Sequence, residues 1–139
     1  MADKFNFDRV VRNMEKLKTT LPVILANEAQ NFFAGSWKSQ GFTDKSLNPW
    51  APRAKETKKT AGKAIMVSTG KLRRAVQNSI REKSFSKIRL VIDGGSIPYA
   101  ARHNNGEDGM PQRQFMGDSA ELRKQQRKTI VNQVDKIWK

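Results

Sequence analysis

The apolar residues Val10, Met14, Leu17, Leu21 and Ile24 recur in steps of 4, 3, 4 and 3, and Pro22 falls inside the pattern. That spacing puts them on one face of a helix, which Leu25, Ala29, Phe32 and Phe33 extend. An apolar stripe this long constrains what the 139-residue chain can build. Pro22 removes one backbone donor and disfavours a helical Leu21. The pattern therefore predicts either one long kinked helix or two helices. In the second case the second helix starts near residues 20–22 with the proline in its first turn. Either way the helical stretch ends near Gly41. Phe32, Phe33 and Trp37 near its end read as core, with a base-stacking platform as the minor alternative.

Residues 41–66 lose this periodicity. "GFTDKSLNPWAPRAKETKKTAGKA" mixes Gly, Pro, Asn, Ser and Lys, and reads as a long loop or mobile arm. Trp50 lies between two prolines in "NPWAP". A loop Trp of this kind docks into a pocket and anchors its loop, or anchors an interface.

The next segment, "MVSTGKLRRAVQNSI", predicts a short helix capped by Ser68 or Thr69, with Leu72, Ala75 and Val76 on its buried side. Ser79–Lys83 and the alternating Ile88, Leu90 and Ile92 predict two strands joined by a turn at 85–87 and closed by Gly94-Gly95. "IPYAARHNNG" predicts a short helix with Pro98 near its start and Gly106 as its stop. Asp118, with Glu121 three residues on, starts the terminal helix. Ile130, Val134, Ile137 and Trp138 give that helix an apolar stripe, and its polar middle, Arg123–Arg127, is expected in solvent. No internal repeat is present. The order predicts a single α+β domain over 1–139. It has a small antiparallel sheet, a long N-terminal helical segment, short helices, a C-terminal helix and an extended basic loop, the flexible arm at about 41–66.

Charge narrows the function classes. The chain carries 27 Lys plus Arg against 13 acids, a net of +14. Twelve of those bases and only two acids fall between Ala51 and Ile92. Such a field favours a polyanionic partner, or else a solvated basic face. Arg53, Lys55, Lys58, Lys59 and Lys63 of the arm are the candidate DNA-facing or partner-facing bases. No zinc finger, RNA-recognition signature or basic zipper is present, so any nucleic-acid contact is expected at phosphates and without sequence choice. The absence of Cys excludes disulfides, thiolate metal sites and a Cys nucleophile. No apolar run approaches the ~18 residues a membrane span needs, and the N-terminal "MADKFNFDRVVRN" lacks a signal-peptide core. A cytoplasmic site of synthesis without a membrane is the expectation.

Catalytic constellations are missing from the pattern. His103 is the only His, and it reads as a hydrogen-bonded structural residue in preference to a general base. No HExxH-type metal spacing, nucleophile elbow or Walker A loop occurs, and no pair of carboxylates can be assigned to acid–base work. No enzyme, cofactor or metal is expected. A hydrolase built on His103 is the weakest of the alternatives.

Four blocks, in order, resemble the phage virion morphogenesis, or tail-completion, family of Mu-like and other tailed phages. The first is a helix ending in an aromatic pair followed by "GFTDKSLNPWAP", which holds Trp50. "MVSTGKLRRAV", with Thr69, Gly70 and Leu72, is similar to the family's Leu-x-x-Thr/Ser-Gly-x-Leu-x-x-Ser. "IPYAARHNNG", with Tyr99, His103 and Gly106, is similar to its Tyr-Ala-x-x-His-x-x-Gly. "MPQRQFMGDS", with Pro111, Arg113 and Phe115, is similar to its Pro-x-Arg-x-Phe-Leu-Gly. The likeness runs from about Phe32 to Ser119. Ala75 stands where Ser is common, and Met66 and Met116 stand where Leu is common.

The resemblance implies a non-enzymatic virion protein of the neck or tail, assembled in the bacterial host cytoplasm. Such a protein completes the tail for joining to the DNA-filled head. It implies a homo-oligomer, a six-fold ring, beside other neck, tail-tube or head-completion proteins, with transient nonspecific contact with genomic DNA. A standalone, non-sequence-specific nucleic-acid-binding protein is the alternative, on charge alone.

Within "PYAARHNNGEDGMPQRQFMG", Tyr99 and His103 are four apart and share a helix face. They are expected to hydrogen-bond or pack so as to hold that helix against the sheet. "NGEDGMP" reads as a mobile turn. Arg113 and Phe115 lie two apart in an extended segment and point to one side. Phe115 is the expected buried plug, with Arg113 making a salt bridge or backbone contacts beside it.

Overall fold

The computed structural model describes residues 4–139, so residues 1–3 of the expected domain lie outside the described residues. Helix α1 (Phe7–Ala34) is a single unbroken helix of 28 residues. Its cap is the Asn6 side chain, which accepts from the Arg9 N–H at 3.0 Å. Pro22 sits inside α1 and is buried. A mid-helix proline costs about 3 kcal/mol. Packing offsets it, because buried residues from Val10 to Phe33 lie on both sides of Pro22. A four-residue helix α2 (Ser36–Ser39) follows, and Gln40 ends it at φ +54°. The helical stretch therefore stops one residue before Gly41.

The arm begins with a hairpin that its composition hides. Strands β1 (Gly41–Thr43) and β2 (Leu47–Pro49) pair antiparallel, with Gly41 opposite Pro49. Gly41 is required there: a Cβ would sit 2.9 Å from Pro49 Cα. Helix α3 (Lys71–Gln77) buries Leu72 and Val76, but neither Ser68 nor Thr69 is its cap residue. Gly70, at φ +78°, holds that position, and the Thr69 hydroxyl only accepts from the Lys71 N–H at 3.4 Å.

Strands β3 (Ile80–Lys83) and β4 (Ile88–Leu90) form the second hairpin, with a register shift between Ile80 and Glu82. The chain thus has two separate two-stranded sheets, where the sequence pattern predicts one. Helix α4 (Ala100–Asn105) stops at Gly106 in the left-handed conformation. Helix α5 (Ala120–Asp135) runs back along α1 and ends in a 3-10 turn, Lys136–Trp138. Its cap is Ser119, not Asp118: the Ser119 Oγ accepts from the Leu122 N–H at 3.1 Å and donates to the Thr43 carbonyl at 2.6 Å. Asp118 instead pairs with Arg123 at 3.3 Å. The polar middle of α5 is mostly exposed, yet Thr129 donates to Glu28 at 2.7 Å and Gln126 to the Leu25 carbonyl at 3.3 Å. Of the predicted stripe only Ile137 is buried; Ile130, Val134 and Trp138 reach solvent.

The architecture is α+β, with one apolar core at the junction of α1, α2, α3, α4 and the two loop segments that follow β2 and α4. Trp37 is its centre. The Trp50 ring meets it edge-on at 5.4 Å, and Phe115 meets it tilted at the same distance. Among the described residues, no helix is long and apolar enough to cross a membrane.

Candidate functional site

The segment after α4 closes over the core as a clasp. Gly106 has φ +70°, and a Cβ there would lie 2.9–3.1 Å from Gln112 Cβ, N and Cα. Gly106→Ala is expected to cost about 2 kcal/mol, from left-handed strain plus a contact that only backbone movement relieves. Urea unfolding measures this. Gly106→Asn should lose nearly as much, because its tolerance of positive φ leaves the Cβ clash in place.

From Gly106 the chain turns through an exposed loop containing Pro111 and re-enters at Arg113. The Arg113 N–H donates to the His103 carbonyl at 2.7 Å. Its guanidinium, on a residue only 7% exposed, donates to the Ala51 carbonyl through Nε at 2.8 Å and to the Pro52 carbonyl through Nη2 at 3.0 Å. These are the expected backbone contacts. Phe115 is 2% exposed and fills the space beside Trp37.

Trp50 anchors the arm as its setting between prolines suggests. It is buried, and its indole N–H donates to the Gln114 carbonyl at 2.7 Å. Arm and clasp therefore hold each other: Trp50 reaches Gln114, and Arg113 reaches back to residues 51 and 52.

Arg53 is placed differently from its basic neighbours. Its guanidinium donates to the carbonyls of Thr60, Lys63, Ala64 and Val67. It gathers the arm into a closed loop around those carbonyls. Lys55, Lys58, Lys59 and Lys63 are exposed, with Lys63 also donating to the Ser68 carbonyl at 2.6 Å. Eleven of the twelve bases between Ala51 and Ile92 are exposed, Arg53 being the exception. Four of them, Arg81, Lys83, Lys87 and Arg89, stand on the β3–β4 hairpin, whose turn carries Phe85 at 68% exposure.

Tyr99 and His103 pack edge to face, their ring centroids 6.0 Å apart. They do not brace α4 against a sheet. They line a cavity walled by the arm, the segment 65–72 and Arg113, and no strand contributes to it. Helix α4 is held by buried Ala100 and by the bond from Arg113 to the His103 carbonyl. The His103 Nδ1 is buried and has no hydrogen-bond partner among the described residues.

Burial, and then the charge of Arg113, hold the His103 pKa below its ordinary value of 6.5. The folded protein therefore binds this proton less readily than the unfolded chain. As pH falls through 6.5 the unfolded chain protonates first. Stability should decline from there until the folded-state value is passed, then level off. Denaturation midpoints taken from neutral to mildly acid pH should show this decline in the native chain and not in His103→Gln.

Three features of this site escape the sequence reading. Asn104 Oδ1 accepts from the N–H groups of Phe115 and Met116 at 2.9 and 3.1 Å, fixing the clasp. The Gln40 side-chain amide brackets Ile65, accepting from its N–H at 2.7 Å and donating to its carbonyl at 3.4 Å. Gln30 Oε1 accepts from the N–H groups of Ser79 and Ile80 at 3.0 and 3.2 Å. A polar side chain in a helix or loop carries no sign that its partner is a distant backbone.

Among the described residues, no group of three or more metal-ligating side chains comes together. No protein-family model, curated protein or solved structure matches the chain.

Proposed function

We propose that this chain is a structural protein of a phage neck or tail, completing the tail and joining it to the DNA-filled head as one subunit of an oligomeric ring. The supporting observation is the convergence of the four family-like blocks. Trp50, Leu72, the helix bearing Tyr99 and His103, and the Arg113–Phe115 segment are spread over 66 positions, yet all of them meet around one core and one cavity. Exposed apolar side chains on the two terminal helices also support subunit contact. Phe7, Val11, Val131 and Trp138, on α1 and the C-terminal end of the chain, are each more than half exposed. A ring would also concentrate the basic surface around a channel for DNA.

Particles assembled without the chain should show filled heads beside unattached tails in negative stain. Joined, normal particles would overturn the proposal.

The eleven exposed bases favour a second reading, nonspecific binding of nucleic acid. Replacing Arg81, Lys83, Lys87 and Arg89 together by Gln should then weaken binding for every sequence and reduce the salt slope by about 3–4. Gel shifts across a salt series decide this. Weak retention without a steep slope removes that reading.

A further inference from the structure

The cavity beside the clasp has a volume of about 300 Å³, and its wall includes Arg53, Met66, Leu72, Tyr99, His103 and Arg113. Arg113 spends Nε and Nη2 on the carbonyls of residues 51 and 52, and Nη1 makes no hydrogen bond among the described residues. Arg53 spends both terminal nitrogens on the arm and leaves Nε over. His103 Nδ1 is buried and unpartnered. Among the described residues, no carboxylate lines the cavity to answer these charges. The four ion pairs among the described residues lie elsewhere, and Asp44 and Glu56, the two acids of the arm, are exposed and outside the cavity wall.

Two guanidinium groups sharing a partly dry wall, compensated only by carbonyl dipoles, leave a positive potential aimed at whatever enters. Burial, and then the charge of Arg53, hold the Arg113 pKa below its ordinary value. Two nitrogens are left without a partner among the described residues, Nη1 of Arg113 and Nε of Arg53, and planar guanidinium groups suit the two oxygens of a planar carboxylate. The rest of the wall, Met66, Leu72 and the Tyr99 ring, is apolar and suits a methylene stem.

We propose that this cavity binds a carboxylate carried on a short apolar stem, supplied by a small organic acid or by an acidic side chain of a neighbouring protein chain. The site does not depend on the ring reading, because its donors all belong to one chain.

The sole His makes the test direct. Glutarate titrated into the native protein should move the His103 imidazole NMR signals saturably. It should also raise the His103 titration midpoint, since an anion facing the ring favours its charged form over the opposing Arg53, Lys71 and Arg113. Thr69 is exposed at the rim, so Thr69→Tyr should narrow the mouth and weaken glutarate binding by about tenfold or more. Its urea midpoint should stay unchanged. Absence of a saturable shift, inorganic phosphate binding as tightly as glutarate, or native affinity in Thr69→Tyr would each overturn the proposal. Sedimentation identifies the source of the acid. Glutarate that breaks up an assembly marks a neighbouring chain's carboxylate as the occupant. Glutarate that binds with no change of mass marks a free acid.

Discussion

Phe115→Ala is expected to destabilise the protein by about 3–5 kcal/mol, the loss typical of emptying a buried aromatic site. A domain of this size has only about 5–15 kcal/mol to lose. The variant should therefore be partly or wholly unfolded at moderate temperature. Phe115 is among the largest fully buried side chains and lies 5.4 Å, centroid to centroid, from Trp37. Removing it also strips the wall from the pocket in which Trp37 and Trp50 meet edge to face, an arrangement worth about 0.5–1.5 kcal/mol beyond its area. Little can collapse into the gap, because the Phe115 backbone is pinned by the bond to Asn104 Oδ1, the Gln114 carbonyl by Trp50, and Arg113 by its bonds to the arm. Thermal and urea melts followed by Trp fluorescence read the result directly. Phe115→Leu should recover more than half of the loss, since it restores much of the volume. An unchanged melting point in Phe115→Ala would mean that the clasp does not close the core.

What the sequence makes legible follows from which signals are local. The steps of 4 and 3 from Val10 to Ile24 specify α1, the Gly106 stop is written in a single residue, and Arg113 and Phe115 declare their common side by a spacing of two. Pro22 misleads because its cost is local, while the packing that overrides it comes from α3, α5 and both strands of the second hairpin. The hairpin of β1 and β2 is hidden because strands of three residues, one starting in Gly and the other ending in Pro, have no room for alternation. Asp118 and Ser119 are adjacent and both suited to cap a helix; the Thr43 carbonyl, 76 residues away, is the partner that comes with Ser119. In the candidate site, the motif residues are legible and their partners are not. Asn104 and Gln40 act on backbone groups far along the chain. Arg53 is the sharpest case: in a run of bases it reads as surface charge, and only the folded arm shows that it bonds inward.

That inward bonding makes Arg53→Met the second test of large effect. The guanidinium holds four carbonyls spread from Thr60 to Val67. Hydrogen bonds from a charged donor contribute about 1.5–3 kcal/mol each when the acceptors stay dry. Here the carbonyls can turn to water once released, so the opening free energy of the arm should fall by about 2–3 kcal/mol, not by the sum. Trp50 is held separately by the core and by Gln114, so the rest of the fold should keep its melting cooperativity. The opened loop frees the backbone beside the already exposed Lys55, Lys58, Lys59 and Lys63 to extend into the active site of trypsin. When reclosure outpaces cleavage, the rate follows the open population, and a change of 2–3 kcal/mol corresponds to about 30–150-fold faster nicking. Arg53→Lys should fall near Met rather than near the native chain, because one ammonium group cannot span acceptors that the planar fork serves from two nitrogens. Native-rate cleavage in Arg53→Met would show that the arm is held by Trp50 and Gln40 alone, and would return Arg53 to the exposed basic surface with its neighbours.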